Sequence, residues 1–152
     1  MNVWKNRIIV AAVAGVVALV GGIAWAGSTS GERHAARAKQ FITWRVDDAL
    51  DELDATDAQR TKVHAIKDQL FEEGVRLHAT KEQVRAGLIA QWKTDRPDGT
   101  AVHALVDRMF DDLRAFAHKV ADAGIALHQT LNPEQRQALL ERAEARHGRW
   151  HH

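Results

Sequence analysis

The sequence predicts an all-α protein: an antiparallel helical hairpin bundle with long helices, preceded by an N-terminal hydrophobic signal or anchor helix. Three observations carry this. From Val102 apolar residues recur at Leu105, Met109, Leu113, Phe116, Val120, Leu127 and Leu131, with Gly124 filling one gap. Those steps make an 11-residue repeat of 3.67 residues per turn, which keeps one stripe on one side of a nearly straight helix. Composition agrees: Tyr and Cys are absent, Pro occurs 2 times, and no β-rich run follows the N-terminus. Finally, Thr94-Asp95-Arg96-Pro97-Asp98-Gly99 is a strong turn signal, and it folds the long helix back on its predecessor.

In chain order, Ile8 to Ala26 is a 19-residue run without charge, preceded by Lys5 and Arg7. It fits a signal peptide, with Ala24-Trp25-Ala26 as a small-x-small cleavage site. It fits an uncleaved anchor equally, being just long enough to span a ~30 Å hydrocarbon core. Positive residues ahead of it hold that end in the cytoplasm, so both readings export the rest to the periplasm. The product is then soluble after cleavage near Ala26, or tethered to the inner membrane. Residues 27–40 read as a polar linker that turns helical near its end. The helical domain spans 41–147, and a histidine-containing tail occupies 148–152.

Within the domain, helices are expected near 40–53, 57–93, 101–131 and 133–147. In the first, Ile42, Val46, Leu50 and Leu53 share a face, while Asp47, Asp48, Asp51 and Glu52 supply a solvated one. The second carries Val63, Ile66, Leu70, Gly74 and Leu77, then Val84, Leu88 and Trp92. Thr80-Lys81-Glu82-Gln83 has a capping-box pattern, where the helix could restart; a kink or an uninterrupted helix is the favoured reading. On the third, a second apolar set (Val106, Phe110, Ala117, Ala121, Ile125) widens the face beyond one neighbour's reach. One chain has too little to cover a ~45 Å rod, so a homodimer is the expected cover. Phe110 and Phe116, with Arg108, Arg114 and Lys119 around them, are the candidate dimer or client surface. Trp44 and Trp92 fall on apolar faces and are expected in a core or interface.

Two helix starts share one pattern. Thr56 and Gln59 form a capping box, in which the N-cap side chain and the N3 side chain satisfy each other's backbone amides. Asn132 and Gln135 repeat it with Pro133 at N1. The copies stand 76 residues apart, and each Gln is followed by Arg. Ala55-Thr56-Asp57-Ala58-Gln59 and Leu131-Asn132-Pro133-Glu134-Gln135 resemble the twice-occurring Leu-Thr-x-x-Gln signature of the Spy/CpxP family of periplasmic chaperones and stress sensors. The first copy lacks the Leu and the second has Asn for Thr; both departures keep the capping chemistry. The resemblance covers roughly residues 41–146. It implies an ATP-independent exported chaperone or envelope-stress modulator, a cradle of long helices, and partners that are unfolded proteins or a stress-signalling membrane protein.

The family is also similar to heavy-metal sensors, so a periplasmic Zn, Cu or Ni sensor or resistance protein is the alternative. Among 9 histidines the best cluster is His147, His151 and His152, which could hold Zn or Cu. The close His/Met pairs of the sensor relatives are not matched, since Met109 has no His three or four positions away. No cofactor is required. No phosphate loop, His-Glu-x-x-His or nucleophile elbow is present, so no enzyme is expected. Removing Lys5 and Arg7 leaves 19 basic and 20 acidic residues, which gives no footprint for nucleic acid. Without cysteine there is neither a disulfide framework nor thiol chemistry.

Overall fold

A computed structural model describes residues 31–148, with side chains from 35 to 143. The N-terminal hydrophobic segment and residues 27–30 lie outside the described residues. Four helices follow one another: α1 Gly31–Glu52, α2 Asp57–Trp92, α3 Gly99–Thr130 and α4 Pro133–Gly148. Among the described residues there is no strand.

The helix α1 begins at Gly31, about nine residues earlier than the linker reading placed it. Glu32 to Gln40 contains no Gly or Pro and is rich in Ala, Arg and Lys, which favour helix. Ala35 and Ala38 extend the buried line of Ile42, Val46 and Leu50, so packing supports the added turns. The helix stops in a Schellman arrangement. Asp54 adopts φ 46, its N–H donates to Asp51 O, and the Ala55 N–H donates to Leu50 O.

No restart occurs at Thr80, and α2 runs through as one 36-residue helix. Thr80 is buried inside the helix, and Gln83, instead of closing a box, accepts from Arg108 across the hairpin at 3.1 Å. Asp98 then caps α3 by accepting from the Thr100 N–H. Its own N–H donates to Gln91 Oε1, which ties the turn to the end of α2.

The hairpin of α2 and α3 is antiparallel. Gln59 meets Thr130, Glu73 meets Lys119, Gln83 meets Arg108 and Gly87 meets Leu105. A Cβ at Gly87 would stand 2.8 Å from Leu105 Cδ1, so the missing side chain lets Leu105 seat on α2. Along the first half of α2, α1 also runs antiparallel, through Lys39–Asp68 at 3.1 Å and Lys67–Thr43 at 2.8 Å. His64–Asp47 at 2.9 Å and Arg60–Asp51 at 2.7 Å continue the series. Arg142 of α4 reaches Asp48 at 2.8 Å and also Glu52. The acidic face of α1 was expected to be simply solvated. Each of these carboxylates instead has a cation or imidazole opposite, because α2 and α4 flank the helix.

Two apolar clusters form the core, and both lie in the half of the hairpin that α1 and α4 adjoin. One joins Ile42, Val46, Leu50, Ala55, Val63 and Phe71. The other joins Leu70, Val120 and Ala123, with Ile66 and Phe116 packed against it, and Leu127 touches both. Phe71 was not on the expected stripe; it is buried because α2 serves two neighbours, α3 on one side and α1 on the other. On α3 the buried line passes through Ala123, whereas Leu113, expected inside, is exposed.

Candidate functional site

The two capping boxes, 76 residues apart in sequence, meet in space. Within the first, the Gln59 N–H donates to Thr56 Oγ1 at 3.3 Å and the Thr56 N–H to Gln59 Oε1 at 2.9 Å. Within the second, the Gln135 N–H donates to Asn132 Oδ1 at 2.8 Å and the Asn132 N–H to Gln135 Oε1 at 3.0 Å. Both boxes thus form as the sequence predicts. Their side-chain amides also pair with each other. Gln59 Nε2 donates to Gln135 Oε1 at 2.8 Å, and Gln135 Nε2 donates to Gln59 Oε1 at 3.2 Å.

The second proton of each amide goes to a helix end. Gln59 Nε2 donates to Thr130 O at 2.9 Å and Gln135 Nε2 to Leu53 O at 3.0 Å. These are carbonyls at the C-terminal ends of α3 and α1, which lack helical partners of their own. Amide orientation is chemically forced, since a flipped Gln would set oxygen against carbonyl oxygen. Four helix termini therefore converge on two glutamines.

The arginines that follow close the arrangement from outside. Arg60 Nε donates to Ala55 O at 3.1 Å, and Arg136 Nη1 to Leu131 O and His128 O, both at 3.1 Å. Ala55 and Leu131, the residues just before each N-cap, are buried. Sequence reasoning saw two helix starts and the repeated Arg. It missed their pairing, for which the equal offsets of Thr/Asn, Gln and Arg in the two copies were the available signal. Neither amide titrates or attacks, so this centre is a structural knot.

The expected surface residues divide. Phe110 is 60% exposed, whereas Phe116 packs on the Leu70–Val120–Ala123 cluster and is not part of a free face. Phe116 precedes Val120 by one turn on the inward side of α3, and Phe110 lies on the outward side. Arg108 and Lys119 are engaged across the hairpin by Gln83 and Glu73, and Arg114 pairs locally with Asp111 at 3.0 Å. Val106, Leu113 and Ile125 join Phe110 as exposed large apolar residues of α3. Trp44, at 57% exposure, and Trp92, at 87%, are not core residues. Of the expected metal ligands, the His147 side chain, His151 and His152 lie outside the described residues. Among the described residues no three His, Asp or Glu side chains stand together in a way that could hold a metal ion.

Partial burial pushes the Asp68 carboxyl up, and the ammonium groups of Lys39 and Lys67 more than reverse this, so it sits below its ordinary value. That pair fastens the N-terminal half of α1 to α2.

Compared with known proteins, the sequence model described as LTXXQ motif family protein matches residues 41–143. That interval runs from the α1 core stripe to one residue past Arg142, which binds α4 to α1, with both boxes inside. No match was found among curated proteins or among solved structures. The family match covers more than half of the 152 residues, and the chain belongs to the LTXXQ motif family.

Proposed function

We propose that the chain is an exported, ATP-independent holdase or envelope-stress modulator that works as a homodimer in the periplasm. The observation that carries this reading is the outward stripe of α3. Val106 is 37%, Phe110 60%, Leu113 43% and Ile125 57% exposed, with Ala117 and Ala121 continuing the line between them. Single exposed apolar residues need no explanation, whereas a continuous stripe along a ~48 Å helix marks an interaction surface. A second copy can cover part of it, since two-fold pairing is the commonest assembly. What stays uncovered would hold unfolded chains loosely, with Arg114 at its margin.

The family supports a periplasmic protein of this kind. The test is client aggregation together with mass in solution. The chain should be dimeric at micromolar concentration and should suppress aggregation at stoichiometric amounts. Phe110→Asp should weaken both without unfolding the monomer. A dimer that suppresses nothing would make the protein a regulator of a membrane partner.

A further inference from the structure

Away from the α3 stripe, α1 carries a second unpartnered face. Arg37, Gln40, Phe41 and Trp44 recur at three- and four-residue steps, and all four are exposed. They lie opposite Ala38, Ile42 and Val46, which pack toward α2. Phe41 and Trp44 touch each other, with ring centroids 6.0 Å apart and planes tilted by 38°. Their exposures of 60% and 57% leave most of both rings without protein cover.

Charge divides this helix in two. From Gly31 to Arg45 the sequence holds Arg33, Arg37, Lys39 and Arg45 against Glu32, while Val46 to Asp54 holds five acids and no base. Four of those acids, Asp47, Asp51, Asp48 and Glu52, are occupied by His64, Arg60 and Arg142. Arg37 makes no ion pair with any described side chain. The basic, aromatic half is the one nearer the apolar run Ile8 to Ala26. Five peptide steps separate Ala26 from Gly31, a reach of at most ~18 Å, and Trp44 lies ~20 Å farther along α1.

We infer that the Arg37–Phe41–Trp44 face of α1 rests on the anionic surface of the bilayer that holds the N-terminal segment. This rests on the reading in which that segment is retained as an anchor. The Trp44 indole, apolar apart from its N–H, settles at headgroup depth with the Phe41 ring beside it, and the Arg37 stem extends its charge toward phosphates. Asp47, Asp48, Asp51 and Glu52 continue this side of the helix, and their charge is offset by His64, Arg60 and Arg142. With this face down the hairpin is held at a fixed inclination to the membrane, with the α3 stripe left to its own partners. The occupant is a lipid surface because the rings are flanked by uncompensated cation next to a membrane-length segment.

The absence of cysteine allows a single nitroxide label on the full chain. Gln40→Cys places it on the proposed face with Phe41 and Trp44 intact, and Lys93→Cys places it at the far hairpin turn. The chain is reconstituted into phosphatidylethanolamine–phosphatidylglycerol vesicles, and collision with oxygen and with a water-soluble nickel chelate is read by power saturation. The oxygen-to-nickel ratio at position 40 should exceed that at position 93 severalfold. Phe41→Ser with Trp44→Ser should abolish the difference, and Arg37→Glu should reduce it. Equal ratios on a chain that stays in the vesicles overturn the inference while the anchor reading stands. Spin–spin broadening between two labels at position 40, with shielding that does not need lipid, overturns it in favour of a second copy. Native protein that begins at Gly27 by mass removes the anchor and the inference together.

Discussion

Gln135 donates to Leu53 O and Gln59 Oε1 and accepts from the Asn132 N–H. It is only 7% exposed, so water cannot replace what it supplies. Removing a partner from buried polar groups costs ~1–3 kcal/mol for each group left unsatisfied. Gln135→Ala should therefore destabilise by about 3 kcal/mol in urea unfolding. Because Gln59 already lacks a partner in that variant, adding Gln59→Ala should cost less than it does alone. A double-mutant cycle that gave simple additivity would show that the two amides do not act as a unit. The αL position of Asp54 predicts the opposite sign. Glycine enters φ 46 without the Cβ penalty, so Asp54→Gly should raise stability by up to ~1 kcal/mol.

At the scale of elements, the inward and outward sides of α3 should respond differently. Leu70 is 3% exposed and packs on Val120 and Ala123, so Leu70→Ala should cost ~2–5 kcal/mol. Phe110→Ser, on the open side, should change monomer stability by no more than ~0.5 kcal/mol. The attachment of α1 carries a pH signature. The Asp68 carboxyl is held below its ordinary value, so its contribution is fully present above the ordinary carboxylate range. It is lost as pH falls through the lower folded value. The Asp68 side chain is 44% exposed, and such pairs are worth at most ~1 kcal/mol and weaken with salt. Asp68→Asn should thus cost little at neutral pH, and the difference from the parent should vanish in acid. Unfolding curves at several pH values check this.

For the molecule as a whole, the half of the hairpin beyond the two core clusters is two helices wide among the described residues, α2 against α3. That half should exchange amide protons faster than the end held by the knot. Metal binding is a separate question from folding. Zn²⁺ or Cu²⁺ should bind weakly, and deletion of His147 to His152 should remove most of the binding seen by calorimetry with little change in unfolding. Tight one-to-one binding that survives the deletion would favour a sensor.

The helices were legible in the sequence because each is local physics. Apolar spacing, two capping boxes and one Pro-Asp-Gly turn set their number, their order and the antiparallel sense of the hairpin. The start of α1 was less legible, since Glu32 to Gln40 has little apolar periodicity of its own and gains support from packing of Ala35 and Ala38. The side of α3 on which Phe116 and Phe110 fall could not be read, because a helix apolar over so wide an arc has no unique inward face until its neighbours are placed. Nor could the pairing of Gln59 with Gln135. A glutamine at N3 has a local use as a cap, and local rules are satisfied by that use. By itself the sequence determined the helices and their caps, which depend on near neighbours. Only the tertiary structure decided which polar groups meet and which apolar faces remain open, because both depend on how four separate helices are brought together.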